Sequence, residues 1–157
     1  MSTPLPASSA IPGALIQMLA IAKAALPADT TIWWGKELST YTSPLTFQIT
    51  EITGDQQPAE MGPGYRREET FSLVCSLSSY QGGDQGQGAL DGLNTVMLNF
   101  ALISAAIGNN PNLNQAVRFA QVGNFIISTD TDGNGTTAVT LDFQVRCEQR
   151  VLSLASS

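Results

Sequence analysis

Two stretches of strictly alternating apolar and polar residues constrain the fold of this 157-residue chain more than any other feature. The apolar positions are Phe71, Leu73, Cys75 and Leu77 in the first stretch, and Val139, Leu141, Phe143, Val145 and Cys147 in the second. A period of two puts such residues on one side of a β-strand. Each stretch therefore predicts a strand with one buried face.

Two longer stretches predict helices. Residues 11–26 carry apolar side chains at helical spacing between Pro12, which suits a first turn, and Pro27, which ends a helix. Residues 89–107 predict a second helix, which the Gly-Asn-Asn-Pro sequence at 108–111 brings to an end.

Further strands complete a single domain. Segments 31–34, 45–53 and 117–128 predict three more strands, and the first alternating stretch lies in a predicted strand at 66–80. The order is then α-β-β-β-α-β-β, which indicates an α+β domain with a mainly antiparallel sheet and two helices packed on one face. We expect this domain to cover residues 11–152, between a flexible N-terminal segment at 1–10 and a C-terminal tail at 153–157.

Three stretches rich in Gly, Pro, Asp, Asn and Gln predict flexible loops, at 54–65, 81–88 and 129–136. Such loops commonly carry the contacts that a protein makes with its partners. The loop residues that we expect to contact partners are Asp55, Gln56, Gln57, Asp130, Asp132 and Asn134.

The charge distribution argues against tight binding of nucleic acid. The net charge is −6, and only 13% of residues are charged, against roughly 25% in typical soluble domains. Arg66 and Arg67 are the only adjacent basic pair, whereas binding to phosphates needs clustered cations. A weakly charged surface is easier to bury against another protein.

The apolar residues predict neither a membrane span nor a signal peptide. No run approaches ~18 uninterrupted apolar residues, and the N-terminus carries no basic region. We therefore expect no membrane partner.

No set of residues predicts catalysis, and we expect neither an enzyme nor a cofactor. The chain has no histidine, the usual partner of a nucleophile. Glu68 and Glu69 are neighbours on a strand, so they face opposite sides and predict alternating surface charge. Cys75 and Cys147 lie in the alternating apolar positions and predict buried thiols, with a disulfide or a metal site as lesser alternatives.

One motif matches the opening of a calcium loop, Asp130-x-Asp132-x-Asn134-Gly135. The twelfth position, where such a loop needs an acid, is Leu141 in the last predicted strand. A hairpin tip explains the motif better, and no metal site is expected. A small calcium-dependent binding module remains the alternative from a different functional class.

Two features predict contacts with another subunit. Trp33 and Trp34 are consecutive in a strand, so one is expected to be buried and the other covered by the N-terminal segment or by a neighbour. Leu98 and Leu102 lie opposite the main apolar stripe of the second helix. Either another part of the chain or a neighbouring subunit covers them, and the small size of the chain favours the neighbour.

The series GYRREETFSLVCSLSSYQGG, ALDGLNTVMLNFALISAAIG and VGNFIISTDTDGNGTTAVTLDFQVRCEQRV together resemble the tail terminator proteins of siphophages. The resemblance covers about residues 11–150. It includes the mixed charges that open the third strand, so Arg66 and Arg67 join Trp33, Trp34, Leu98 and Leu102 as expected interface residues.

The resemblance implies a virion subunit, assembled in the host cytoplasm, that forms a ring, commonly a hexamer, at the head-proximal end of the tail. The ring would end polymerisation of the tail tube protein and join a head-completion protein, while DNA passes its channel without specific binding. The alternative within this class is another neck or tail subunit, such as a head-tail connector, a minor tail protein or a tail tube protein.

Overall fold

Five strands and two helices make up the computed structural model, which describes residues 9–35, 45–58, 66–81, 85–131 and 137–152. The elements are α1 Ile11–Ala25, β1 Thr31–Trp34, β2 Leu45–Pro58, β3 Arg66–Gln81, α2 Gln85–Gly108, β4 Phe119–Thr131 and β5 Thr137–Leu152. The predicted α+β class and element order are confirmed.

The strands form one mixed sheet in the order β1-β2-β3-β5-β4. β1 pairs with β2 in parallel, and all other neighbours are antiparallel. β3 and β5 pair along their whole lengths, from Arg66 opposite Leu152 to Gln81 opposite Thr137. The two strands with the clearest alternation are therefore direct neighbours in the sheet, and β1 and β4 are its edges.

The core lies between the sheet and the helices. Every apolar residue of the two alternating stretches is buried, and these residues pack with Met18 of α1 and with Val96, Ile103 and Ile107 of α2. This face of the sheet carries both helices, while the outer face carries mostly hydroxyl, amide and charged side chains. The alternation therefore predicted the buried face correctly.

β2 is longer than predicted, because it continues through residues expected to lie in a loop. Gly54 pairs with Phe71, and the pairing runs on to Pro58 opposite Arg67. A Cβ atom on Gly54 would lie 2.9 Å from the Cβ atom of Phe71, so glycine permits the close approach of the two strands. The glycine that suggests a loop in the sequence is a close-packed strand residue.

Two bulges change which residues face the core. One lies between Ile49 and Glu51 of β2, and the other between Val122 and Phe125 of β4. An extra residue shifts the alternation by one position, so Ile52 follows Ile49 on the core side.

A left-handed turn joins α2 to β4. Leu113, Asn114 and Gln115 have φ angles of 46°, 55° and 70°, which non-glycine residues rarely adopt. Leu113 is buried, and the Asn114 side chain accepts a hydrogen bond from Asn110 and donates one to Gln17 of α1. Burial and these side-chain bonds offset the strain of the turn.

Candidate assembly surface

The outward side of α2 exposes large apolar side chains. Leu98 is 64% exposed and Leu102 is 42% exposed, and Leu90 and Met97 are exposed beside them. Within the described part of the chain, no element covers these residues. The helix has one charged residue in its 24, Asp91. A surface helix normally carries charged residues on its outward face, so this side of α2 is a candidate for burial against another molecule.

By length and composition, residues Gly88–Gly108 of α2 could also cross a membrane, which the sequence had not led us to expect. The core helices of soluble proteins pass the same test. Val96, Ile103 and Ile107 of α2 are buried against the sheet, and moving the helix into lipid would expose the core around them. We therefore treat α2 as a packed helix with one exposed apolar side.

The tryptophan pair lies at the β1 edge of the sheet, and neither side chain is fully buried. Trp33 pairs with Gln48 and is half-buried, while Trp34 pairs with Ile49 and is exposed. Ile32 instead packs against the core from this strand. The expectation that one tryptophan is a core residue is therefore wrong, because β1 is a short edge strand.

The sheet brings together arginines that are far apart in the sequence. Arg150 donates from Nε to Glu68 Oε1 at 2.7 Å, and Arg118 Nη2 lies 3.3 Å from Glu68 Oε2 and 3.8 Å from Glu148 Oε2. Arg67 is half-buried opposite Val151 on the other face of the sheet, and the side chain of Arg66 lies outside the described residues. Arg118 and Arg150 are therefore clustered, contrary to the expectation from the sequence, and carboxylates pair with both.

Acid should weaken this cluster. The hydrogen bond from Arg150 lowers the pKa of Glu68 from 4.5, burial opposes the shift, and the charge of Arg118 reinforces it. A depressed pKa in the folded state means that the stabilisation is complete above about pH 4.5 and is lost as the pH falls through the lowered value.

We expect Glu68→Gln to lower the free energy of unfolding at pH 7 by less than about 1 kcal/mol, because the pairs are largely solvent-exposed. Denaturant unfolding of the wild-type protein and the variant at pH 7 and at pH 2.5–3, on the order of one to two units below the ordinary pKa, measures the difference in their free energies of unfolding. This difference should shrink at the lower pH. An equal difference at both values would contradict a role for the ionised carboxylate.

Glu69 is a buried carboxylate that holds the start of α1, where alternating surface charge was expected. Its side chain is 2% exposed. It accepts hydrogen bonds from Ser9 Oγ at 2.8 Å, from the Ala10 backbone N–H at 2.7 Å and from Gln56 Nε2 at 2.7 Å. A negative charge at the N-terminus of a helix is favourable. Ser9 and Ala10 are the last two residues of the segment expected to be flexible, and residues 1–8 lie outside the described residues.

The structure changes the interpretation of the predicted loops. Asp55, Gln56 and Gln57 belong to β2 and pair with Thr70, Glu69 and Glu68. Asp130 belongs to β4, opposite Ala138, and is not in a hairpin tip. Residues 85–88 belong to α2. Asp132 and Asn134 lie outside the described residues, as do 59–65, 82–84 and 153–157.

The cysteines are free and buried, as predicted. Burial raises the pKa of Cys147 to about 12, and it raises the pKa of Cys75 further. Neither thiol ionises near neutral pH, so neither is a ready nucleophile. Among the described residues, no three His, Cys, Asp or Glu side chains are grouped to hold a metal ion. The calcium module remains a prediction.

The outer face of the sheet forms an open groove of about 980 Å³ across β2, β3, β5 and β4. Asp55, Asp142 and Arg146 line it together with hydroxyl and amide side chains. Charges of both signs thus line the groove, beside the apolar side chains of Val74 and Ile126. This face therefore differs from the outward side of α2, which is nearly free of charge.

Sequence reasoning missed Glu69 and three exposed apolar residues of β4, Phe119, Phe125 and Ile126. For Phe125 and Ile126 the sequence does carry a signal. Phe125, Ile126 and Ile127 are consecutive, and consecutive apolar residues in a strand place at least one on each face of the sheet. Nothing local distinguishes Glu69 from Glu68.

No protein-family model matches the chain, and no curated protein sequence matches it at a significant level. A functional proposal for this protein therefore depends on its surfaces and on the resemblance in its sequence.

Proposed function

We propose that this protein is a structural subunit of a phage tail, which assembles with copies of itself into a ring that caps the head-proximal end of the tail tube. The outward side of α2 is the observation that carries the proposal. It exposes four large apolar side chains on a helix with a single charge. Burying such a surface removes much apolar area from water at little cost in desolvated charge.

The other parts of the proposal follow from the resemblance to tail terminators. The ring would stop further addition of tube protein, bind a head-completion protein on its other side and let DNA pass without specific contacts. The pairing of Arg118 and Arg150 with Glu68 and Glu148 supports the last point, because paired cations attract phosphates less strongly.

The first test is the mass of the purified protein by light scattering after size exclusion. We expect closed rings of about six copies, and electron microscopy of the same fraction should show discrete rings. Long tubes would instead indicate a tail tube protein, since a tube subunit must stack on itself. A monomer at all concentrations would contradict the ring.

The double variant Leu98→Ser, Leu102→Ser tests the surface itself. We expect the ring to dissociate, with subunit affinity reduced about tenfold or more, because buried leucines at a contact lose their apolar burial. Ile126→Ser is the matched control, since Ile126 is exposed on the outer face of the sheet. Equal effects of the two variants on ring mass would show that α2 has no special role.

A further inference from the structure

We infer that the assembly surface extends from α2 onto the edge strand β4 at Phe125, and that a second copy of this chain binds there. This inference rests on the proposed self-assembly. The starting observation is that Phe125 lies opposite Phe143 on the helix side of the sheet and is still 47% exposed. Its position on the outermost strand explains the exposure, because no further strand lies beside β4 among the described residues.

Phe125 is physically continuous with α2. Its ring contacts the ring of Phe100 at a centroid distance of 5.4 Å, and Phe100 contacts Phe143 in the core at 5.0 Å. At about 100° per helical residue, Met97 and Leu90 lie about 60–80° around α2 from Phe100. Leu98 and Leu102 lie about 160° from Phe100, so the exposed side chains of α2 that continue onto the edge strand are Met97 and Leu90.

The area of α2 alone is too small for a stable contact. A helix of 24 residues is about 36 Å long and about 10 Å wide, or about 360 Å² of outward surface. Specific, stable interfaces bury about 800 Å² on each partner. The flank of β4, with 13 residues, is about 43 Å long and about 5 Å wide and adds about 200 Å². The total over two copies then reaches about 1,100 Å², above the roughly 1,000 Å² that a specific interface needs.

The distribution of charge favours a second copy as the occupant. Each copy carries a net charge of −6, so two copies repel each other unless they meet where charge is sparse. Asp91 is the one charged residue of α2, and Asp130 is the one charged residue of β4. The outer face of the sheet instead carries Asp142, Arg146 and Glu148.

A lipid surface fits less well. Helices that lie on membranes usually carry Lys or Arg along their polar side, and α2 has neither residue.

The test compares two phenylalanines on the same strand. Phe125 and Phe119 are 47% and 45% exposed, but Phe125 faces the helix side and Phe119, opposite Glu148, faces the outer side. We expect Phe125→Ser to weaken self-association about tenfold or more, and Phe119→Ser to change it less than about twofold. Sedimentation equilibrium over a concentration series measures both, and circular dichroism checks that each variant is folded.

A second variant covers the case in which Phe125→Ser fails to fold. Met97→Ser changes the exposed side of α2 without removing the Phe100 ring, and we expect it to weaken association as well. Weakening by Phe119→Ser alone would overturn the inference. So would binding of the wild-type protein to phosphatidylcholine vesicles without self-association.

The outcomes separate this inference from the proposed ring. A wild-type ring that Phe125→Ser and Met97→Ser leave intact would overturn the inference and leave the ring standing. A two-fold dimer that Phe125→Ser dissociates would support the inference and overturn the ring. A wild-type monomer at every concentration would overturn both.

Discussion

Replacing Phe143 with alanine is expected to lower the free energy of unfolding by about 3–5 kcal/mol, the usual cost of removing a buried phenylalanine. The side chain is almost completely buried, and its ring lies 6.4 Å from that of Phe47 in β2 and 5.0 Å from that of Phe100 in α2. Alanine would leave a cavity between the sheet and the helix. Guanidinium unfolding followed by circular dichroism, at a protein concentration where association is constant, measures the change.

Phe119→Ala is the control for that loss. The residue type and the substitution are the same, but Phe119 is exposed on the outer face of the sheet. We expect its cost to stay below about 1 kcal/mol, as for most surface substitutions. Comparable losses for the two variants would mean that Phe143 does not hold the helix layer on the sheet.

The consequence of Phe143→Ala reaches the candidate assembly surface. Phe100 rests on Phe143, and Phe125 rests on Phe100. A cavity below Phe100 should loosen both rings above it. If self-association depends on Phe125, the Phe143 variant should associate more weakly under conditions where it is still folded, and sedimentation measures this with the same samples.

Glu69→Ala should have the second largest effect, about 2–4 kcal/mol of lost stability. One carboxylate accepts hydrogen bonds from Ser9, Ala10 and Gln56, and hydrogen bonds to a charged group contribute about 1.5–3 kcal/mol each. Water can bind the donors that the variant leaves free, so the expected loss is smaller than the sum. The start of α1 would lose its anchor on β3. Hydrogen exchange should therefore show faster exchange at the backbone amides of residues 10–14, and chemical unfolding measures the global change.

Glu68→Ala serves as the neighbouring control. Glu68 is one residue away on the same strand and also pairs with two partners, but those pairs are at the surface. We expect a loss below about 1 kcal/mol and unchanged exchange at the start of α1. Unchanged exchange in the Glu69 variant would show that residues 9–10 are held by packing of Ala10 rather than by the carboxylate.

The errors in sequence interpretation share a cause. Gly54 and the polar residues after it indicate a loop by composition, and yet they pair with β3 because the backbone of that strand is available on their side. Glu68 and Glu69 are identical in type and adjacent, and yet one is at the surface and the other is buried under the start of α1. In both cases the deciding partner is distant in the sequence.

Leu98 and Leu102 were recognised in the sequence as surplus apolar residues, and they are exposed in the described part of the chain. Their role at an interface stays a prediction. Phe125 was missed, because its exposure depends on β4 being the edge of the sheet, and strand order is not a local property. The clustering of Arg118 and Arg150 around Glu68 was missed for the same reason.

The sequence by itself determined the type and order of the helices and strands and the buried face of the central pair β3 and β5, because periods of 2 and 3.6 residues are written locally in the chain. The tertiary structure alone decided which strand is the edge, where the two bulges shift the alternation, and which carboxylate is buried. These depend on contacts between residues far apart in sequence. Ser9 and Glu69 are 60 residues apart, and Glu68 and Arg150 are 82 apart. Such pairings form only when the sheet brings distant segments together.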